Sequence, residues 1–429
     1  MTVEANPNVT GQETTSTGSK APTLGVVFTE HCEVSMQGPA LYTEVLIPLM
    51  FSIGNMQKSS SGGVYTYTFR MNPRSGDTRP TLTLEGGTKN RRGTRIADVV
   101  LTGASFQFDR RGGVSVNSSG FGGLDQENLS HYLVLDESVY STSSPDNPIA
   151  FECSGVTTSD VELFGGEVTA PAAIEQALLT AMNTAYSRTF TADKEVTVVD
   201  MTTQAVAAGL TGKKVYHILF GGELTRRNVR FEIKKYPAAA AGKEAAYLQP
   251  FFPATKQFRE VPIEPTHVEI YYSTTSWADL IDLDTEQKQE QRRLHSAFMT
   301  SVGVDNKYVP LFVFDREKLS YSMVGETMPS GSFSMQVAAD DEGMQFYEKV
   351  RNRDMCWFRI EAKGGLIGAS NTNYRLTIDF AAILNQIGGK NDIDGSVLVR
   401  DFSGVLANDS TRDGIIEVTL VTSVNEADL

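Results

Sequence analysis

Apolar and polar residues alternate with period two over most of this chain. In Tyr65-Thr-Tyr-Thr-Phe-Arg-Met71 the apolar positions are 65, 67, 69 and 71, while Thr66, Thr68 and Arg70 face the other way. That alternation predicts a half-buried strand. Leu82 with Leu84, Phe106 with Phe108 and Val114 with Val116 continue it. Further runs predict strands at Val196–Val199, Val215–Phe220, Val229–Ile233 and His267–Tyr272. Near the C-terminus, Cys356, Phe358, Ile360 and Ala362 share one face and Arg359, Glu361 and Lys363 the other. Tyr374, Leu376, Ile378 and Phe380 oppose Arg375, Thr377 and Asp379 in the same way, and Ile416, Val418 and Leu420 mark a last strand. Such strands have one dry face and one wet, charged face, as antiparallel sheets with one solvated side do.

Helical spacing is confined to three places. Thr169 as a cap, Pro171 in the first turn and Ile174, Leu178, Met182 and Ala185 predict a helix through Tyr186 that lies flat on a sheet. Thr285 to Met299 reads as a polar helix containing Leu294 and Phe298, and Met344, Tyr347 and Val350 mark a shorter one. Between the strands, 74–80 and 86–95 are polar, glycine-containing and basic, and so read as exposed loops.

These elements divide the chain into three. Residues 1–22 offer almost nothing to bury and predict a flexible arm with no reason to fold alone. Pro237-Ala-Ala-Ala-Ala-Gly242, followed by Pro250 and Pro253, marks a boundary, giving β domains at 23–245, with an insertion around 124–168, and 246–429. The two share a motif. Leu82-Thr-Leu-Glu85-Gly-Gly87 precedes a strand with Arg95 and Asp98; Phe358-Arg-Ile-Glu361 with Gly364-Gly365 precedes a strand with Arg375 and Asp379. The carboxylates are 13 and 18 residues apart, so both a duplicated domain and two ordinary hairpins that look alike stay open.

Composition narrows the function. The 429 residues are 40% hydrophobic and 21% charged, which describes a folded protein rather than a disordered one. Lys and Arg total 38 against 52 Asp and Glu, a net charge of −14 that disfavours broad attraction to nucleic acid or anionic membranes. Cys32, Cys153 and Cys356 lie far apart without a CxxC pair, consistent with reduced structural thiols. The N-terminus has no secretory pattern and no run of 18 apolar residues occurs, so the expectation is a protein made in a cytoplasm without membrane insertion.

The search for chemistry returns nothing local. His31, His131, His217, His267 and His295 occur in no HExxH or HxH arrangement, and there is no GxSxG elbow. Ser119-Gly-Phe-Gly-Gly123 lacks the ending of a phosphate loop. Asn391-Asp-Ile-Asp-Gly395 opens like a calcium loop but lacks the later bidentate Glu, so a hairpin turn is the better reading. Asp340, Asp341 and Glu342 suit a helix N-terminus. No catalytic, metal or cofactor residue is assigned, and an enzyme is disfavoured. The basic loop Lys89-Asn-Arg-Arg92 lacks aromatic support for nucleic acid, leaving contact with an acidic surface of another copy or a solvated loop.

Trp357-Phe-Arg-Ile-Glu-Ala-Lys-Gly-Gly, Tyr374-Arg-Leu-Thr-Ile-Asp-Phe-Ala-Ala-Ile, the Gly-Gly-Lys-Asn-Asp-Ile-Asp-Gly turn and Gly414-Ile-Ile-Glu-Val-Thr-Leu together resemble the major tail tube proteins of long-tailed bacteriophages. The stretch Thr94 to Gly123 is similar to a strand-turn-strand of the same fold. The resemblance covers about half the chain and is one of texture rather than of an invariant motif. It implies a mainly β protein with a few flanking helices, built as tandem β-sandwich or β-barrel domains of the tail tube type. It further implies homo-oligomeric rings, six chains or three two-domain chains, stacked into a virion tube through which DNA passes without specific binding. The tape measure protein and other tail proteins are the implied partners.

On this reading Glu361, Asp379, Glu85 and Asp98 are candidates for the lumen wall, with Arg359, Lys363 and Arg375 on the same face in ion pairs. Arg74, Arg79, Lys89, Arg91 and Arg92 are candidates for a loop bridging one ring to the next. The rival readings are another tail component of the same fold, a terminator or baseplate protein, and a ligand-binding β-sandwich whose pocket would use Trp277 or Trp357.

Overall fold

A computed structural model describes residues 2–14, 24–71, 81–87, 93–123, 126–127, 130–136, 148–162, 170–192, 194–222, 224, 229–237, 245–250, 252–253, 260–281, 283, 285–312, 321, 323–325, 327–393, 397–409, 411–412 and 414–426. The architecture is mainly β, with several antiparallel sheets and few helices.

The N-terminal stretch forms β1 (Thr2–Thr14) and β2 (Leu24–Pro39), then α1 (Leu46–Ser52), β3 (Met56–Ser61), β4 (Val64–Met71), β5 (Leu82–Gly87), β6 (Gly93–Asp109) and β7 (Gly113–Gly122). The expected arm thus takes structure over residues 2–14. It does so as half of a hairpin with β2, Thr2 opposite Gln37, because an extended polar segment gains its hydrogen bonds only from a neighbour. The β3–β4 hairpin turns on Gly62 and Gly63, both at positive φ (57° and 79°), which a residue with a Cβ adopts only under strain.

A second group follows: β8 (Gln126–Glu127), β9 (Ser130–Asp136), β10 (Pro148–Cys153), β11 (Val156–Thr157), β12 (Val161–Glu162), α2 (Ala170–Tyr186), β13 (Val196–Asp200), α3 (Thr202–Ala207), β14 (Lys213–Phe220), β15 (Phe231–Lys235) and β16 (Ala246–Gln249). Its sheet runs β13-β14-β9-β16. The helical spacing holds in α2, whose Ile174, Leu178 and Met182 are wholly buried against Phe151, Val196 and Phe220 in a core of the group's own.

The chain closes with β17 (Val268–Ser273), α4 (Ala278–Ile281), α5 (Glu286–Arg292), β18 (Ala297–Asp305), β19 (Val309–Leu311), β20 (Met323–Gly325), β21 (Ser330–Ala338), α6 (Asp341–Asn352), β22 (Met355–Leu366), β23 (Asn373–Ile393), β24 (Val397–Ala407) and β25 (Ile416–Thr422). The helix expected to run to Met299 stops at Arg292. Phe298 lies in β18, where Thr300, Val302 and Val304 alternate inward as in any half-buried strand. Asp340 caps α6 by accepting from the Gly343 amide at 2.8 Å, and Glu342 accepts from the amides of His295 and Ser296.

The largest sheet runs β1-β2-β7-β6-β18-β21-β24-β23-β25-β4-β3, with β17 and β22 joined through β23. The long β23 pairs with β22 and β25 in its first half and with β24 in its second, through two register shifts. The two wings so formed meet through their dry faces. Phe333 of β21 lies 4.6 Å from Phe358 of β22 and 4.9 Å from Phe380 of β23, ring centre to ring centre.

The boundary at 245/246 does not separate these strands. β6 pairs with β18, β25 pairs with β4, and one core takes Tyr67, Phe106, Phe358 and Phe380 together. The segregated piece is the β9–β16 group, wider than the insertion expected at 124–168. Period two names the two faces of a strand but not its neighbour, so a dry face can find its complement anywhere along the chain.

Candidate functional site

The outer faces of the two wings differ in kind. On the β2-β7-β6-β18-β21-β24 wing, buried Val116, Phe106, Val302, Phe333 and Phe402 point inward, so their neighbours in sequence point out. Register aligns those neighbours into rows. One row reads Ser115, Gln107, Ser301, Ser334, Ser403; the next reads Asn117, Ser105, Gly303, Ser332, Val405. Hydrogen bonds run along the surface between Ser301 and Ser334 at 2.7 Å, and from Gln336 Nε2 to Asp401 at 2.9 Å.

No Lys or Arg stands in these rows, and Glu33, Asp109, Asp305 and Asp401, whose side chains share the outward parity beside them, are acidic. The nearest arginines turn away: Arg110 donates to the Pro265 carbonyl, and Arg400 lies over the Tyr347 ring of α6. The second row, with Ser35, Gln37 and Ser119 beside it and Asp305 at its edge, floors a shallow concavity of about 630 Å³ that spans all six strands of the wing. Six strands at about 4.8 Å spacing make it roughly 25 Å wide.

The other wing, β22-β23-β25-β4, presents a cup of about 830 Å³ holding four arginines, Arg70, Arg359, Arg375 and Arg412, and three carboxylates, Glu361, Asp379 and Glu417. Arg359 grips Asp379 with two bonds, 2.7 and 3.0 Å, and Arg412 reaches the same carboxylate at 3.5 Å. Arg412 also binds Glu417 at 2.5 Å, which in turn pairs with Arg70. The Arg412 guanidinium stacks 4.0 Å above the Trp277 ring, a contact that suits a weakly hydrated planar cation.

The expected lumen residues therefore separate. Asp379 is only 4% exposed and is clasped by two arginines, so it presents no free negative charge; it is a buried counter-ion. Arg375 and Glu361 form a looser pair at 3.7 Å, and Lys363 stands opposite Arg375 in register. Glu85 lies elsewhere, accepting from the Tyr132 hydroxyl at 2.8 Å and facing Arg95 at 3.4 Å. Asp98 is exposed with φ of 55°, unlike Asp379 in its regular strand, so the hairpins of the suspected repeat agree in a Glu–Arg pair and differ at the second acid. Arg74, Arg79, Lys89, Arg91 and Arg92 lie outside the described residues.

Arg412 was not foreseen, and Trp277 was named only for a ligand-binding pocket, not for an ion-pair network. Trp277 and Arg412 come from irregular segments, which carry no periodic signal. The serine rows were missed because Ser and Gly read as loop residues, although Ser330-Gly-Ser-Phe-Ser-Met-Gln-Val does alternate.

One local arrangement resembles catalytic chemistry. Ser130 Oγ and His217 Nε2 are 2.6 Å apart, with the imidazole stacked on Tyr132. Both are buried, and burial, with Arg95 nearby, lowers the His217 pKa to about 4, leaving a weak base at neutral pH. His131, also pushed down to about 4 by burial, titrates likewise. Because folding lowers both values from about 6.5, the unfolded chain binds more protons, and stability is lost as pH falls from 6.5 toward 4. Melting temperature is expected to drop across that window, and His217→Gln to flatten the drop by removing one histidine's share, on the order of 3 kcal/mol.

Among the described residues, no group of three or more His, Cys, Asp or Glu is placed to hold a metal ion, and no helix is long and apolar enough to cross a membrane. Cys32, Cys153 and Cys356 are buried thiols. No protein-family model matches the sequence, and neither does any curated protein.

Proposed function

We propose that the chain is a structural virion protein that polymerises as stacked rings into a phage tail tube, with the β2-β7-β6-β18-β21-β24 face lining the channel. The observation that carries this reading is the serine, glutamine and asparagine surface, six strands wide and without Lys or Arg in its rows. DNA adheres to a protein by exchanging condensed counterions for Lys and Arg. A wall of hydroxyls and amides edged by acids supplies no cation for that exchange, so a duplex slides past it. The sequence resemblance to tail tube proteins supports the same assignment.

The ion-paired cup then faces away from the channel, where its net charge near neutrality holds strands together. Partners on this reading are further copies of the chain, a tape measure protein and the other tail proteins, and the protein performs no catalysis. The test is electron microscopy of the purified chain in negative stain. Hollow filaments of uniform diameter are expected; a preparation that stays monomeric at high concentration would overturn the reading. Short caps of one ring would instead favour a tail terminator of related fold.

A further inference from the structure

A cavity of about 280 Å³ opens between the wings, with the end of β6 and the start of β18 on one side and β17 with the stretch after α5 on the other. It lies on the inward side of β6 and β18, away from the serine rows. Phe108 and Thr300, both buried and opposite each other in register, line it. β18 is irregular here. It pairs with β21 through Ala297 and then Met299, so Phe298 is the extra residue of a bulge, and the Phe298 carbonyl accepts from the Arg110 amide at 3.1 Å. A bulge bends its strand and re-aims a side chain, and Phe298 lines the cavity.

Two arginines and two carboxylates share the lining. Arg110 donates to the Pro265 carbonyl at 2.9 Å, and Arg293 meets Glu269 at 3.1 Å. Asp109 accepts from the Arg111 amide at 2.8 Å, and Glu269 accepts from the Tyr271 hydroxyl. A guanidinium carries five N–H donors and a carboxylate about four acceptor sites, so each group keeps capacity beyond these bonds. Thr300 has none of its own needs met. It is 1% exposed, and its hydroxyl has no hydrogen-bond partner among the described residues. Buried hydroxyls are ordinarily paired, and one left unmatched at the wall of a cavity marks the place of an absent partner.

We propose that this cavity binds a single sugar ring, as a free monosaccharide or as the terminal unit of a glycan. An ion entering it meets as many like charges as opposite ones, and an apolar molecule leaves the remaining donors and acceptors without partners. A neutral polyol answers both signs, because each of its hydroxyls donates and accepts, and its C–H face packs on the apolar wall of Phe108, Phe298 and Leu294. Thr300 then pairs with one ring hydroxyl. The volume falls just below the roughly 300–1,000 Å³ of larger ligand sites, which fits one ring and not a chain of them.

Saturation-transfer-difference NMR on the full chain tests this with glucose, galactose, mannose and their methyl α-glycosides, and with glycine and inorganic phosphate as ionic controls. At least one sugar is expected to bind, with a Kd on the order of 1 mM for so small a ligand, and neither control. Thr300→Val keeps the shape and removes the hydroxyl; it is expected to weaken binding about tenfold without lowering the melting temperature, and Thr300→Ser to retain binding. Arg110→Gln, at an exposed position, is expected to weaken binding with the fold intact. Equal binding of a sugar and its methyl glycoside identifies a glycan terminus, and binding of the free sugar alone a monosaccharide. No transfer from any sugar at millimolar concentration, Thr300→Val and Arg110→Gln binding as the parent does, or glycine or phosphate binding in place of the sugars would overturn the proposal. The measurement is made on dispersed chains, so its failure leaves the tube reading standing, and an absence of filaments leaves this site standing.

Discussion

Lysine substitution of Ser105, Ser301 and Ser334 is expected to turn filaments that ignore duplex DNA into filaments that retain it. The three residues sit in adjacent rows on neighbouring strands with outward side chains, and Ser301 and Ser334 share a neutral hydroxyl–hydroxyl hydrogen bond, so the substitution changes charge at small cost to packing. Every phosphate neutralised adds about 0.9 to the slope of log affinity against log salt. Filaments of the triple variant should therefore bind DNA fragments at about 50 mM salt and release them over a few-fold increase, as strong phosphate contacts do. Parent filaments should bind at neither. Cosedimentation with DNA reads the difference, and parent filaments that bound DNA as the variant does would show that the absence of cations on this face carries no function. The same three substitutions placed on the ion-paired cup, which already holds four arginines, should change little.

Asp379→Ala should be among the most destabilising single changes on the outer surfaces of the sandwich. The carboxylate is nearly buried and answers both Arg359 and Arg412, whose side chains are themselves only 19% and 18% exposed. Removing it leaves two partly buried cations facing each other, a defect that costs about 3–5 kcal/mol in comparable sites. For a chain of this size the melting temperature should fall on the order of 5 °C. Arg70→Ala on the same network should cost less than about 1 kcal/mol, because Arg70 is half exposed and water replaces it readily. Equal effects of the two substitutions, measured by thermal unfolding, would contradict the assignment of Asp379 as the buried centre of the network.

Much of the strand content was legible because its physics is local. Tyr65 to Met71, Cys356 to Lys363 and Tyr374 to Phe380 alternate cleanly, and each has the dry and wet faces that the alternation requires. The helix at Ile174, Leu178 and Met182 was legible for the same reason. Partnership was not. That β4 lies beside β25, and β6 beside β18, depends on complementary dry faces separated by hundreds of residues, which no window of sequence contains.

The candidate site divides along the same line. The wet parity of Arg359, Arg375 and Asp379 could be read, and parity placed them on one face. The burial of Arg359 and Asp379 could not be read, since it comes from Trp277 and Arg412 arriving from irregular segments to cover them. Serine and glycine in β18 and β21 gave little sequence signal, yet register aligns them with Ser115, Gln107 and Ser403 into rows without Lys or Arg.

Cryo-electron microscopy of the filaments assembled from the purified chain measures the central claim directly. The account predicts stacked rings around an open channel whose wall shows Ser105, Ser301, Ser334 and Ser403, with Arg359, Arg375 and Arg412 away from the lumen. A channel lined by the arginine cup, or particles with no channel at all, would contradict it.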